Sequence, residues 1–81
     1  MKLPRDVSGL ELAKALGSLG YRTTRQTGSH LRLTTTDRGE HRVTIPSHAE
    51  LRVGTLAAIL SDVAEHFGTT RDAIAKQIFA Q

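Results

Sequence analysis

Apolar residues near the start of the chain recur at steps of three and four, which is the period of an amphipathic helix. The apolar face consists of Leu12, Leu16 and Leu19. Before it, Ser8 and Glu11 have the spacing of a capping box, in which each side chain accepts a hydrogen bond from the backbone N–H of the other residue. Gly20 is placed to end the helix in the left-handed conformation. The pattern therefore predicts a first helix between Ser8 and Gly20.

From Tyr21 the period changes to about two, and β-branched residues and arginines replace leucine and alanine, which indicates strands. Short turns separate three such segments, and Pro46 stops the last one. The predicted strands are Tyr21 to Gln26, Ser29 to Thr35 and Glu40 to Ile45. Connections as short as Thr27-Gly28 and Asp37-Arg38-Gly39 make an antiparallel meander.

Alternation gives the predicted sheet two different faces. One face is apolar and carries Leu31, Leu33, Val43 and Ile45, whereas the other is polar and cationic and carries His30, Arg32, Thr34, Arg42 and Thr44. By the same parity His41 falls on the apolar side at a strand end, where we interpret it as structural.

The last third of the chain is apolar at helical spacing. Residues 47–53 read as a loop, Gly54-Thr55 opens a helix that Gly68 ends, and the Thr69 to Asp72 segment caps a short last helix. The core positions of these helices are Leu56, Ile59, Leu60, Val63, Ile74, Ile78 and Phe79. Amphipathic helices bury their faces against the one apolar side of a sheet. The predicted fold class is an α+β two-layer sandwich of helix, three-stranded antiparallel sheet and helix, with an extra C-terminal helix.

Composition narrows the function classes. With 81 residues the chain forms one domain that is too small for a deep pocket between two lobes, so we expect no large cofactor. The net charge of +3 favours an acidic partner, and the absence of cysteine excludes a disulfide framework and a thiolate zinc site. No apolar run approaches the roughly 18 residues that span a bilayer, and no signal peptide is evident. We therefore expect a cytoplasmic protein with no membrane association.

Candidate chemistry is concentrated in Gly28-Ser29-His30, which combines a turn, a hydroxyl and a titratable base. Arginines are spaced through the same stretch and would give this site a positive field suited to a phosphate backbone. They are Arg22, Arg25, Arg32, Arg38 and Arg42. The exposed basic face of the sheet is a candidate surface for RNA, although the same arginines also serve to keep an open face soluble and to protect its edge strands.

Other roles for the residues of this segment follow from their types and spacing. Gly28 supplies a positive φ, and Ser29 caps the turn or orients His30 rather than acting as a nucleophile, because no triad pattern or nucleophile elbow accompanies it. A zinc site made of His30, His41 and His48 matches no usual ligand spacing. We therefore expect no metal.

Five short motifs in this order resemble the HicA toxin family of small mRNA interferases. The motifs, which span residues 8–60, are Ser8-Gly9-x-Glu11, Leu16-x-x-x-Gly20-Tyr21, Arg25-x-x-Gly28-Ser29-His30, Ile45-Pro46-x-His48 and Gly54-Thr55-Leu56-x-x-Ile59-Leu60. The resemblance implies a fold similar to double-stranded-RNA-binding domains, a ribonuclease that cuts mRNA and inhibits translation, and a HicB antitoxin as partner. It also implies that His30 matches the catalytic histidine of the family. The predicted organisation is a single HicA-like domain over 1–81, with a helical extension over 69–81.

Metal-free RNA cleavage needs a base for the ribose 2′-OH, stabilisation of the phosphorane and a proton for the leaving 5′-oxygen. Our hypothesis makes His30 the general base, with Ser29, Gly28 and His48 in support. Arg32 or Arg42 stabilises the phosphorane, and the residues do not decide between them. Arg22, Arg25, Arg32 and Arg42 are the predicted RNA contacts.

Two other functions remain open from the residues. A non-catalytic RNA-binding module would use the same basic face and would bind RNA without cutting it. A pure protein-interaction module would have no affinity for RNA and little salt dependence, but it leaves Gly28-Ser29-His30 unexplained.

Overall fold

The computed structural model describes residues 6–79, which form three helices and one three-stranded sheet. The elements in chain order are α1 (Gly9–Leu16), a short 3₁₀ helix (Gly17–Leu19), β1 (Arg22–Thr27), β2 (His30–Thr35), β3 (His41–Pro46), α2 (Val53–Phe67) and α3 (Arg71–Phe79). The fold class predicted from the sequence is confirmed. The predicted domain spans residues 1–81, and its first five and last two residues lie outside the described residues. Within residues 6–79, no helix is both long and apolar enough to cross a membrane.

The capping box at the start of α1 is present. The Ser8 hydroxyl accepts a hydrogen bond from the Glu11 N–H at 3.0 Å, and the Glu11 carboxylate accepts one from the Ser8 N–H at 2.9 Å. The backbone hydrogen bond from Ser8, followed by the bond to its side chain, lowers the pKa of Glu11. At the other end, Gly20 has a φ of 86° and closes the 3₁₀ helix in the left-handed conformation, as the sequence predicts.

The sheet is an antiparallel meander in the order β1-β2-β3. β1 contains a bulge, because Thr23 lies opposite Leu33 and Arg25 lies opposite Arg32, which leaves Thr24 as an extra residue. The alternation predicted for β2 and β3 is correct. Leu31, Leu33, Val43 and Ile45 are buried, whereas His30, Arg32, Arg42 and Thr44 are exposed.

Five predicted strand boundaries differ from the structure by one residue. They are both ends of β1, the start of β2 and both ends of β3, which runs from His41 to Pro46 and so includes the proline that was predicted to stop it. β1 extends to Thr27 and β2 begins at His30, so the turn is Gly28-Ser29 and Ser29 is not part of the strand. The reason is geometric: Gly28, with a φ of 53°, is one of the two turn residues, and the pairing of Thr27 with His30 leaves only Gly28 and Ser29 between the strands.

All three helices pack on one side of the sheet and enclose the core. Fully buried side chains come from α1, the strands β2 and β3 and the later helices, and include Leu12, Leu16, Leu31, Leu33, Ile45, Leu56, Leu60, Val63 and Ile74. α2 begins at Val53, one residue before the predicted Gly54. Gly68 ends it with a φ of 66°, and Thr70 caps α3 by accepting a hydrogen bond from the Ala73 N–H at 3.1 Å.

The helix layer buries side chains of β2 and β3 but none of β1. All six residues of β1 are exposed, including Thr23 and Gln26, whose cross-strand partners Leu33 and Leu31 are buried. β1 is therefore an edge strand held by pairing to β2, and its arginines and bulge are features that oppose edge-to-edge aggregation. The other face of the sheet, opposite the helices, stays open; we call it the open face.

Candidate active site

His30 is the first residue of β2 and follows a tight hairpin turn. Thr27 and His30 are cross-strand partners, so Gly28 and Ser29 form the two-residue connection between β1 and β2. The carbonyl oxygen of Ser29 accepts a hydrogen bond from the Ser47 N–H at 2.7 Å, which ties this turn to the loop after β3. The turn that presents His30 is therefore held by the pairing of β1 with β2 and by the hydrogen bond to the loop after β3.

The pairing of the three strands arranges the open face in rows. The first row is Thr27, His30 and Pro46; the second is Arg25, Arg32 and Thr44; the third is Arg22, Thr34 and Arg42. Neighbouring rows on one face of a strand are two residues apart, which is roughly 7 Å. The row next to His30 therefore contains Arg25 and Arg32, whereas Arg22 and Arg42 lie one row further away.

His30 shares a shallow groove with the second row. This groove has a volume of about 390 Å³ and is lined by Arg25, Thr27, His30, Arg32 and Thr44. His30 is exposed, and its ring forms no hydrogen bond with any residue in the 6–79 range. An imidazole with free ring nitrogens thus lies among two guanidinium groups in a depression that is open to solvent.

A second depression of about 350 Å³ adjoins the first, because Arg25 and Arg32 line both. Its other lining residues are Thr24, Thr34, Glu40 and Arg42. Arg42 donates to the Glu40 carboxylate at 3.2 Å, and both side chains are more than half exposed. An exposed ion pair of this kind contributes at most about 1 kcal/mol to stability, but it partly neutralises Arg42.

Not every predicted site residue lies in the groove of His30. His48 is exposed in the loop after β3, where its carbonyl oxygen accepts a hydrogen bond from the Gly9 N–H at 3.0 Å, and its side chain does not line either depression. Arg22 belongs to the third row of the open face and is also absent from both linings. The structure brings His30, Arg25 and Arg32 together, with Gly28 and Ser29 beside them in the turn.

A second polar cluster lies on the helix side of the sheet. The Tyr21 hydroxyl bonds His41 Nδ1 at 2.7 Å, and His41 Nε2 donates to the Asp62 carboxylate at 3.1 Å. His66 stacks on His41 with ring centroids 4.5 Å apart and donates from Nε2 to the Asp37 carbonyl at 2.8 Å. Burial, with a smaller contribution from the Asp62 charge, raises the pKa of Tyr21 to about 12.

The sequence does not predict this cluster as a group. It predicts His41 on the inner face with a structural role, which agrees with the half-buried position of this residue. Asp62 and His66 are four residues apart in α2 and so share one helix face. This spacing is the part of the cluster that the sequence could have indicated. Their contact with His41 is long-range and becomes visible only when α2 is packed on β3.

The histidines are not arranged as a metal site. His30 and His41 are at opposite ends of the β2–β3 ladder, since His30 pairs with Pro46 and His41 pairs with Thr35. Across the part of the chain that the structure describes, no three His, Asp or Glu side chains group as metal ligands.

The fold and the open face define a small basic α+β protein that presents one histidine among arginines. A family model described as the HicA toxin of bacterial toxin–antitoxin systems matches residues 9–64. This match covers well over half of the chain, so the chain belongs to the HicA toxin family and is a toxin of a toxin–antitoxin system, whose partner is an antitoxin. Comparisons with curated proteins and with solved structures found no match.

Proposed function

We propose that this toxin is a metal-independent endoribonuclease that cleaves mRNA and thereby inhibits translation. The observation that carries the proposal is the groove on the open face, where His30 lies beside Arg25 and Arg32. A base and two guanidinium groups around one accessible depression supply the base and the phosphorane stabilisation that the cleavage of a phosphodiester next to a ribose 2′-OH requires.

In the proposed reaction His30 accepts the proton of the 2′-OH, and the 2′-oxygen attacks the adjacent phosphorus. The pentacoordinate phosphorane carries additional negative charge, which the neighbouring guanidinium groups neutralise. The bond to the 5′-oxygen then breaks, and this oxygen takes a proton from a water molecule, to which the open groove gives access. The products are a 2′,3′-cyclic phosphate on one fragment and a 5′-hydroxyl on the other.

The surroundings of His30 support its role as the general base. Its ring has no partner among residues 6–79, so a ring nitrogen is free to approach a substrate hydroxyl. Gly28 and Ser29 support it by forming the turn that fixes the start of β2. His48 is a supporting residue in the loop after β3, because it follows Pro46, the cross-strand partner of His30, by two residues, and its side chain lies outside the groove.

The arginines of the open face are the proposed contacts to RNA. Arg22, Arg25, Arg32 and Arg42 are all exposed on strands of this face. Contacts to phosphates release counterions, so we expect affinity for RNA to fall steeply as the salt concentration rises. The same positive face is suited to an acidic surface of a HicB-like antitoxin, which would neutralise the toxin by covering His30.

The test of the enzymatic function compares wild type with His30→Ala on a defined RNA in the presence of EDTA. General acid–base catalysis by one group contributes about 10²–10⁴-fold, so the variant should lose at least about a hundred-fold in cleavage rate. New ends should carry a 2′,3′-cyclic phosphate. His66→Gln is the matched control, because His66 lies on the helix side of the sheet, and it should cleave at the wild-type rate.

Other results would contradict the mechanism in distinct ways. Equal cleavage by wild type and His30→Ala would assign the base to another residue, and a 5′-phosphate product would exclude attack by the 2′-OH. RNA binding without cleavage would favour the alternative function, a non-catalytic RNA-binding module. Production of the wild-type toxin alone should arrest growth, whereas production of such a module should not.

A further inference from the structure

Arg25 and Arg32 are direct cross-strand partners on the open face. Residues opposite each other on one face of an antiparallel pair have Cβ atoms about 4.5–5.5 Å apart, and like charges in this position destabilise the sheet. A pair of arginines is therefore an unfavourable choice for a purely structural edge hairpin.

No carboxylate in the described part of the chain compensates this repulsion. Within residues 6–79, neither guanidinium forms an ion pair or a hydrogen bond. The groove of His30 has no acidic lining residue, and Glu40, which lines the adjoining depression, has its carboxylate bound to Arg42. The two charges next to His30 thus remain free, whereas Arg42, one row further away, is paired with Glu40.

The bulge in β1 is what brings Arg25 to this position. In a regular strand Thr23 and Arg25 would share a face, and Thr23 is opposite the buried Leu33. The extra residue Thr24 turns Arg25 to the open face, and the Thr24 hydroxyl secures the bulge by donating to the Arg32 carbonyl at 3.3 Å. Bulges that redirect a side chain are common next to active sites.

We propose that Arg25 and Arg32 form an oxyanion clamp that binds the phosphate on which His30 acts, and that the free protein retains their mutual repulsion for this purpose. Two planar guanidinium groups side by side present paired N–H donors to a tetrahedral phosphate, and the bound anion removes the repulsion. The assignment selects Arg25 and Arg32, not Arg42, as the residues that stabilise the phosphorane. The binding of phosphate by the two arginines stands by itself, whereas their role in stabilising the phosphorane rests on the proposed function.

The first test measures thermal stability at low salt and needs no cleavage. Arg25→Gln and Arg32→Gln should each raise Tm by about 1–5 °C, because either change removes the repulsion. The double variant should gain little more, since the first change already removes it. Arg42→Gln loses its bond to Glu40 and should not gain stability. Lys76→Gln, in the helix layer, controls for the loss of one positive charge.

The second test measures binding of a single-stranded DNA oligonucleotide, which has phosphates but no 2′-OH and cannot be cut by this reaction. A hydrogen bond to a charged group contributes about 1.5–3 kcal/mol, so Arg25→Gln and Arg32→Gln should each weaken binding about ten-fold or more. Arg42→Gln should weaken it by a clearly smaller factor. Inorganic phosphate should raise Tm of the wild type and of Arg42→Gln, but not of the Arg25→Gln and Arg32→Gln variants.

The clamp is overturned if Tm does not rise in either single variant, or if all three arginine variants lose oligonucleotide affinity equally, which would indicate a diffuse positive field. Its failure is distinct from failure of the proposed function. If the clamp variants behave as expected and wild type cuts no RNA, the ribonuclease proposal fails and the anion site stands. If RNA is cut by a His30-dependent reaction and Arg25→Gln changes nothing, only the clamp fails.

Discussion

The four histidines of the chain differ in what their rings contact, and this separates a candidate catalyst from structural residues. His41 and His66 use ring nitrogens in hydrogen bonds and stack on each other beneath the sheet. His30 is exposed on the open face beside two arginines, with no hydrogen bond to residues in the described range. A ring whose two nitrogens are already hydrogen-bonded is poorly placed to accept a substrate proton. His30 is therefore a better candidate for the general base than His41.

Tyr21 provides a spectroscopic test of the cluster around His41. It is the single tyrosine of the chain, so absorbance near the phenolate band reports this residue alone. Burial and the Asp62 charge raise its pKa to about 12, so the native protein should titrate near pH 12 and the urea-unfolded chain near pH 10. Because the folded pKa is the higher one, the stability linked to Tyr21 is complete below pH 10 and is lost as the pH rises towards 12.

Two variants check this prediction for Tyr21. Tyr21→Phe should lack the decrease in the free energy of unfolding that Tyr21 causes between about pH 10 and pH 12. Asp62→Asn should lower the native titration midpoint only in part, because burial is the larger cause of the shift. A native midpoint near 10 in the wild type would show that the phenol is accessible to water and would contradict the packing described.

At the scale of elements, α1 is fixed to the end of β3 by a close approach between backbones. A Cβ on Gly9 would overlap the carbonyl oxygen of Pro46, and the Gly9 N–H donates to the His48 carbonyl at 3.0 Å. The capping box therefore starts the helix at a point where only glycine fits against the strand end. The Ser8-Gly9-x-Glu11 motif joins a local helix signal to a tertiary contact.

Gly9→Ala should destabilise the protein by about 1–3 kcal/mol, because the added methyl group forces α1 away from Pro46. Gly17→Ala is the matched control: this residue has helical backbone angles, and a Cβ there would meet no atom within 4 Å. It should stabilise the protein by about 0.4–1 kcal/mol through the loss of freedom in the unfolded chain. Urea unfolding of both variants gives the comparison, and similar effects would contradict the close approach.

The elements also differ in how well the sequence predicts them. β2 and β3 alternate between apolar and polar residues, so periodicity alone predicts both of their faces correctly. β1 has no apolar residue, and its bulge breaks the alternation, so no periodicity could assign the face of Arg25. The capping box and the glycines at the helix ends are local signals, which is why α1 and α2 lie where the sequence predicts them.

At the scale of the whole molecule, α3 lies beyond the segment that the family model matches, yet it contributes to the core. The match ends at residue 64, whereas Ile74 is only 2% exposed and Ala75 is fully buried. α3 packs on α2 and α1 and closes the helix layer over the sheet. We propose that residues 69–79, the described part of the predicted helical extension, belong to the same folding unit as the motif-bearing region.

Ile74→Ala should therefore destabilise the entire protein by about 2–5 kcal/mol, because it leaves a cavity among α1, α2 and α3. Ile78→Ala, at a half-buried position, should have a smaller effect. Helical circular dichroism and the Tyr21 signal should show coincident urea transitions in every variant. A separate early transition of the helical signal would mean that α3 folds independently.

The sequence by itself determined the α+β class, the capping box, the two faces of β2 and β3, and the family, because these depend on local spacing and short-range periodicity. Only the tertiary structure decided which arginines lie next to His30 and that Tyr21, His41, Asp62 and His66 form one cluster. The physical reason is that strand register, a one-residue bulge and helix packing set contacts between residues far apart in the chain. No local pattern encodes those distances.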